Sequence, residues 1–436
     1  MRRAVLLLMA IGWHPAAAQV DPAIAGVIER TKAIDNHAHP LKYVAEGQAR
    51  DEDYDQLPCD TLDQGPGPWR TRIENPEWIS VWRALYGYQY NDAAPEHIKE
   101  LVAAKEHTKR EHGADYPAWV LDKMGIETMF ANRVAMGPGL APPRFRWVPF
   151  ADALLVPLNN DGGKRRNADY KWFYEHAENL LKRYLADLHL DAPPASLSEY
   201  LARVVTPTLE KQKREGAVAL KFEAAYLRPL DFEPAAEADA AKVYGPYVRG
   251  GEPPEAEYRT LENFLFHFIA REAGRLGLAI HFHSMPGCGD YFMQRGANPL
   301  LMEAAFNDPA LRKTNFVIIH GGWPYTKEVA GLFQHPNVYA DFSLQDLLLY
   351  PRALAAVLRD WLEAYPEKVL FGTDASTGPP ELDWEQSGYL AAHSARQALA
   401  AALTGMINDG EVSRERAAEI ARMVLRENAA KLYGLK

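Results

Sequence analysis

Thiols are scarce in this chain: its 436 residues hold two cysteines, Cys59 and Cys288. A disulfide scaffold is thereby excluded, and a hydrophobic core must hold the fold. One bridge between the two is open, but the plainer reading is two unpaired thiols. Neither lies in a CxxC or Cys-His cluster, so thiol chemistry gains no support. Basic charge is also short, 48 Lys and Arg against 58 Asp and Glu, for a formal charge of -10. No basic patch is sustained enough to neutralise phosphates, which argues against nucleic acid as a partner. Beyond the first residues no run is apolar and long enough to span a bilayer. The motifs GxxxxGK[ST] and GxSxG are absent, and the glycine-rich SMPGCGDYF at 284–292 lacks the GxGxxG form. Phosphate loops, serine-nucleophile elbows and dinucleotide folds therefore go unsupported. No internal repeat or low-complexity tract stands out.

What is present begins with a processing signal. Arg2 and Arg3 precede an apolar run, Ala4 to Trp13, followed by Ala16-Ala17-Ala18. This order of charge, apolar run and small residues is that of a secretory signal peptide spanning 1–18, against a membrane anchor as the alternative. It predicts an exported protein, periplasmic or secreted, whose remainder, 19–436, forms one large domain. Hydrophobic content of 47% is normal for a globular chain.

Eight β-rich runs follow, separated mostly by helical patterns: 33–37, 126–131, a third within 145–155, 217–222, 278–283, 316–320, 338–343 and 369–373. The stretch 41–115 reads as a largely helical insertion after the first strand, turning helical over 77–110, first in EWISVWRALYGYQY and then in EHIKELVAAKEHTKR. Its crowded aromatics (Trp69, Trp78, Trp82, Tyr86, Tyr88, Tyr90) predict a small local core. The alternation predicts an α/β fold, a distorted (β/α)8 TIM barrel, with a doubly wound open sheet as the alternative. Only the barrel explains why polar residues collect at the C-terminal ends of the runs, where such barrels hold their active sites.

Those polar residues carry the chemistry. His37 and His39 share one face of a strand by parity. Asp374, in FGTDAS, would lie beside them in a closed barrel, and His283 ends LAIHFH. Imidazole and carboxylate suit Zn²⁺ first, with Mn²⁺, Ni²⁺ or Fe²⁺ open. His281 reads as a deeper packed histidine. Lys221 ends an apolar strand, where it would bridge two metals once carboxylated, orient an anionic substrate, or pair with Glu223. His320 precedes Gly321-Gly322 and would bind a second ion or hydrogen-bond the attacked group. Arg228 suits a substrate carboxylate, though a surface role is equally open. Tyr226 and Trp323 would shape the pocket.

The stretches NHAHP at 36–40, ALKFEAAYLR at 219–228, IHFHSMPGCGD at 280–290, VIIHGGWPYTKEVAGLFQHPNVYADFS at 317–343 and FGTDAS at 371–376 together resemble the amidohydrolase superfamily, in its amidohydrolase 2 branch. Within that branch the likeness is to the amidohydrolase-like domain of fungal FluG and plant nodulin-related proteins. It covers roughly 31–436. The resemblance implies a metal-dependent barrel with ligands at His37, His39, His283 and Asp374, and with Lys221 and His320 if a second ion binds. It implies an amide hydrolase acting on a small molecule, with Asp374 moving the proton and His320 stabilising the oxyanion. Metal-dependent decarboxylation of a small aromatic acid is the alternative, and sugar-acid isomerases and a non-catalytic binding protein are further ones. A homo-oligomer is left open. Export and the long first insertion depart from many relatives.

Overall fold

The computed structural model describes residues 20–56 and 67–435, so the signal-peptide residues 1–18 lie outside the described residues. Eight short strands carry the fold: β1 (Ala33–Ala38), β2 (Ile126–Asn132), β3 (Phe145–Val148), β4 (Ala219–Phe222), β5 (Ala279–His283), β6 (Phe316–Ile319), β7 (Val338–Asp341) and β8 (Val369–Leu370). All paired neighbours are parallel, in the ladders β1-β2-β3 and β4-β5-β6-β7-β8. Two parallel bridges, Trp147 to Ala217 and Phe150 to Lys221, join β3 to β4.

Three backbone hydrogen bonds close the other seam. The Asn36 amide donates to Phe371 O at 2.9 Å, the Asp374 amide to His37 O at 2.8 Å, and the His39 amide to Ala375 O at 2.7 Å. The result is the distorted barrel that the strand count predicts. Ile34, Phe130, Val148, Ala219, Ala279, Val317 and Leu370, drawn from seven strands, gather in one buried cluster against Ala429 of the C-terminal helix. A larger cluster fills the layer between strands and helices.

Several boundaries differ from the sequence reading. The third strand stops at Val148, and Asp152–Leu155 is a helical turn. Of the two helical stretches in 77–110, the first is shorter than read, Glu77–Tyr86, because Gly87 takes a left-handed φ of 70° and ends it, and the second is Pro95–His112. Helix Glu237–Tyr247 was not expected. It buries only Ala240, Val243 and Tyr244, a short stripe at i, i+3 and i+4, and contains Pro246, so its apolar signal in the sequence is weak.

The insertion's aromatics form the small core expected of them, except that it extends onto the barrel and leaves Trp69 exposed. Trp78, Trp82, Leu85 and Tyr88 pack with Leu347 and Leu390. Beneath them Lys105, almost fully buried, donates to Asp383 at 3.0 Å and Glu385 at 2.8 Å, while Tyr116 donates to Glu385 at 2.9 Å. Removing one partner of such a set strands the others in low dielectric. Lys105→Met should therefore cost about 3–5 kcal/mol in urea unfolding.

Cys288 is disulfide-bonded, which corrects the reading of two unpaired thiols. The one other cysteine in the sequence, Cys59, lies outside the described residues. Composition alone leaves the pairing open, because it carries no information on which loops the fold brings together. The native chain should yield no thiol to Ellman's reagent, and thiol should appear only after reduction under denaturing conditions.

Candidate metal centre

The barrel seam builds the site. His37 ends β1 and His39 follows it, and Asp374 comes round from the loop after β8. One ligand atom from each lies within 4.8 Å of the others. His37 Nε2 is 3.3 Å from His39 Nε2 and 3.1 Å from Asp374 Oδ1, and His39 Nε2 is 3.5 Å from the same oxygen. Bonds of about 2.0–2.1 Å at tetrahedral angles would hold ligand atoms about 3.4 Å apart, so these spacings are those of atoms sharing a cation.

Neighbouring imidazoles repeat the pattern. His283 Nε2 donates to Met285 O at 2.5 Å, which leaves its Nδ1 as a lone pair. His320 Nδ1 donates to Ser343 Oγ at 2.9 Å, because that hydroxyl already gives its own proton to Asp341 at 2.7 Å. The two remaining nitrogens, His283 Nδ1 and His320 Nε2, face each other at 3.1 Å. Two opposed lone pairs repel unless a cation or a proton lies between them. The donor set therefore fits a divalent metal.

Electrostatics agree. Burial, reinforced by the Lys221 charge, holds His37 and His283 well below the ordinary histidine pKa. Burial, then the neighbouring His283 and the Lys221 charge, does the same for His320. All three are neutral and available as ligands. Burial also pushes the Asp374 carboxyl up to about 6.

Outer contacts fix this geometry. Asp374 and His320 adopt left-handed backbone, φ 53° and 64°, which non-glycine residues rarely do. The His320 amide donates to Asp341 Oδ1 at 2.9 Å, and Gln345 Nε2 to His320 O at 2.9 Å. Thr373, next to Asp374, is held by Asp35 through both its amide and its hydroxyl. Asp341 and Ser343 lie in VYADFS, which reads from the sequence as a plain strand. A carboxylate at the C-terminal end of a barrel strand was the available signal. Asp55 Oδ2 stands 2.9 Å from His39 Nδ1, and no pattern in DEDYD pointed to it.

The other expected residues divide. Lys221 is fully buried, with Nζ 3.3 Å from His37 Nε2 and 3.8 Å from Glu223 Oε1. Tyr226 packs its ring on His283 at 4.5 Å, and an added methyl at Gly287 would lie 1.5 Å from its hydroxyl. Trp323 is half-buried on the turn after β6, with its amide 3.4 Å from His320 O. Arg228 is drawn elsewhere: it pairs with Glu262 at 2.8 Å, bonds Asn263 and Asp231, and stacks on Phe232. His281 is the packed histidine expected, 2.6 Å from Tyr433 Oη.

A parallel barrel with this metal-binding triad at its C-terminal mouth defines an enzyme of metal-dependent hydrolytic chemistry. The amidohydrolase family's sequence pattern matches residues 150–435, and the chain belongs to that family. It is 24% identical over 230 residues to protein fluG of Emericella nidulans, a match covering 50% of this chain and 26% of that protein. The chain thus spans about a quarter of that relative's length. In fold it is similar to an inferred metal-dependent hydrolase from Lactobacillus casei ATCC 334, with TM-score 0.57, 17% identity, and 94% of this chain and 97% of that one covered. It is likewise similar to glucuronate isomerase from Caulobacter crescentus, with TM-score 0.61, 13% identity and 95% of each chain covered.

Two outcomes test the centre. Asp374→Asn and His39→Ala should each lose bound metal, measured by elemental analysis of the folded protein. Metal must also compete with protons for Asp374. In the metal-free site that carboxyl is ionised above about pH 6 and protonated below, so apparent metal affinity should be level near pH 8 and weaken progressively as pH falls below about 6.

Proposed function

We propose that the protein hydrolyses an amide C–N bond of a small molecule. The observation that carries this reading is the convergence of His37, His39 and Asp374, with neutral His283 and His320 alongside. A divalent cation bound there, most simply Zn²⁺, would polarise the carbonyl and lower the pKa of the attacking water. His37 and His39 would hold it through Nε2 with Asp374. Asp374, at the rim, would take the water's proton and return it to the leaving nitrogen. His320, oriented through Ser343 and Asp341 with Nε2 as its lone pair, would ligate a second ion with His283; it would stabilise the oxyanion only by taking a proton on that nitrogen against its burial. Lys221 would be carboxylated only if that second ion binds. Tyr226 and Trp323 would shape the pocket. Arg228, bound by Glu262, would reach a substrate carboxylate only by leaving that partner.

Export to the periplasm or medium is part of the same reading. The charged and apolar start of the chain supports it, as does a disulfide, which persists in oxidising compartments. Nucleic acid has no place in this proposal, and a homo-oligomer remains compatible with it.

The test is metal-reconstituted protein on a panel of N-acyl amino acids, dipeptides and cyclic amides, followed by amine release. Turnover that is abolished in Asp374→Asn supports the reading. No amine release across the panel, with CO₂ evolved from small aromatic acids, would replace hydrolysis by decarboxylation.

A further inference from the structure

Inside the barrel, beneath the metal centre, runs a line of hydrogen bonds that the chemistry above does not use. It begins on the helix Asn428–Tyr433, near the end of the chain. The Tyr433 ring packs edge-on against Phe130 of β2, with centroids 4.6 Å apart. Its hydroxyl lies 2.6 Å from His281 Nε2 on β5 and 2.5 Å from Asn36 Oδ1 on β1. Asn36 Nδ2 in turn lies 2.7 Å from Asp341 Oδ2, at the end of β7. His281, Asn36 and Asp341 are all fully buried.

The place of each proton follows from the next group along. A carboxylate only accepts, so Asn36 turns its NH₂ to Asp341 and its carbonyl to Tyr433. A carbonyl also only accepts, so Tyr433 gives its one proton to Asn36. The hydroxyl oxygen is then left to accept, and His281 donates to it through Nε2–H. This leaves His281 Nδ1 as a bare lone pair, and that atom has no hydrogen-bond partner. A proton there would be a buried donor with nothing to meet, which is the costlier arrangement. Every bond in the line thus points toward Asp341.

A second arm reaches the same carboxylate from the metal side. Asp341 Oδ1 accepts from the Ser343 hydroxyl at 2.7 Å and from the His320 amide at 2.9 Å. Ser343 Oγ accepts from His320 Nδ1 at 2.9 Å. A carboxylate turns as one rigid plane about a soft torsion. Holding Oδ2 through Asn36 therefore also aims Oδ1 at Ser343 and His320. Loss of the grip on one oxygen would loosen the other, and with it the His320 ring.

We propose that Tyr433 is a positioning residue for the metal centre. Its hydroxyl fixes the Asn36 amide, the amide fixes the plane of Asp341, and Asp341 holds His320 with Nε2 turned to His283. This deepens the reading of that centre and rests on a metal binding there, but not on the reaction carried out.

Two readouts test it, and neither uses substrate. Long-range proton–nitrogen NMR of metal-free protein with labelled histidine, assigned with His281→Asn, should find His281 protonated at Nε2. Its low-field, hydrogen-bonded proton signal should be lost in Tyr433→Phe. Chelator competition on the Zn²⁺-loaded chain should show retention weakened about fivefold in Tyr433→Phe, although the ring against Phe130 is kept. In an Asn36→Ala background the same substitution should cost nothing further, because the two side chains act in one line. Lys105→Met, destabilised elsewhere, should hold Zn²⁺ as the native chain does, which separates positioning from stability. Tyr433→Leu, which removes ring and hydroxyl together, serves if Asn36→Ala does not fold, and it should lose Zn²⁺ no faster than Tyr433→Phe. His281 protonated at Nδ1, native Zn²⁺ retention in Tyr433→Phe, additive losses in the double variant, or loss confined to Tyr433→Leu would each overturn the proposal. Absence of amine release from every amide would count against hydrolysis and leave these results standing.

Discussion

Closure of the eighth strand onto the first is the constraint on which everything else depends. Three backbone hydrogen bonds across that seam bring Asp374 beside His37 and His39, more than three hundred positions earlier in the chain. In an open sheet these groups would sit at opposite edges, each solvated and unremarkable. In the closed barrel their lone pairs and carboxylate oxygen are forced within 3.5 Å of one another in a site from which water is largely excluded. Like-signed electron density at that spacing is unfavourable on its own. A cation at the mouth relieves that repulsion, so the fold is poised to bind one.

The surrounding structure bears the cost of that arrangement. Two non-glycine residues in left-handed backbone, His320 and Asp374, are each held by neighbours with buried carboxylates. Burial raises the pKa of both carboxylates, that of Asp35 to about 7, so each is retained against a real desolvation penalty. Such groups are tolerable because every one has hydrogen-bond donors: Thr373 for Asp35, and Ser343, Asn36 and the His320 amide for Asp341. The rim is thus rigid where it meets the metal ligands.

Sequence carried the strands and their polar ends well, because parity and apolar leads are local. His37, His39, His283, His320 and Asp374 each follow a short buried run, and the barrel then dictates that they meet. What supports them was harder to see. Asp341 looks like any acid near a strand end, and only its position beneath His320 gives it meaning. Arg228 illustrates the converse. Its guanidinium suggested a carboxylate partner, and it has one, but from Glu262 of the same chain. Helix Glu237–Tyr247 escaped because its apolar stripe is only three residues long and a proline, Pro246, lies within it. The bond at Cys288 escaped because pairing is a property of loops in space.

The strands place the ligands, but the rim decides what reaches them, and the rim is assembled from parts of the chain outside the barrel repeat. Residues 51–55 put Asp55 against His39. The insertion helices pack on Leu347 and Leu390, and Lys105 locks them to the loop after β8. The Gly287–Cys288 turn presses on Tyr226, whose ring in turn covers His283. A barrel of the same family could keep all its ligands and still accept a different molecule if these segments changed. The metal ligands are therefore brought together by the closed barrel, whereas the approach to them is shaped by segments outside its repeat, the insertion and the disulfide-bonded turn among them.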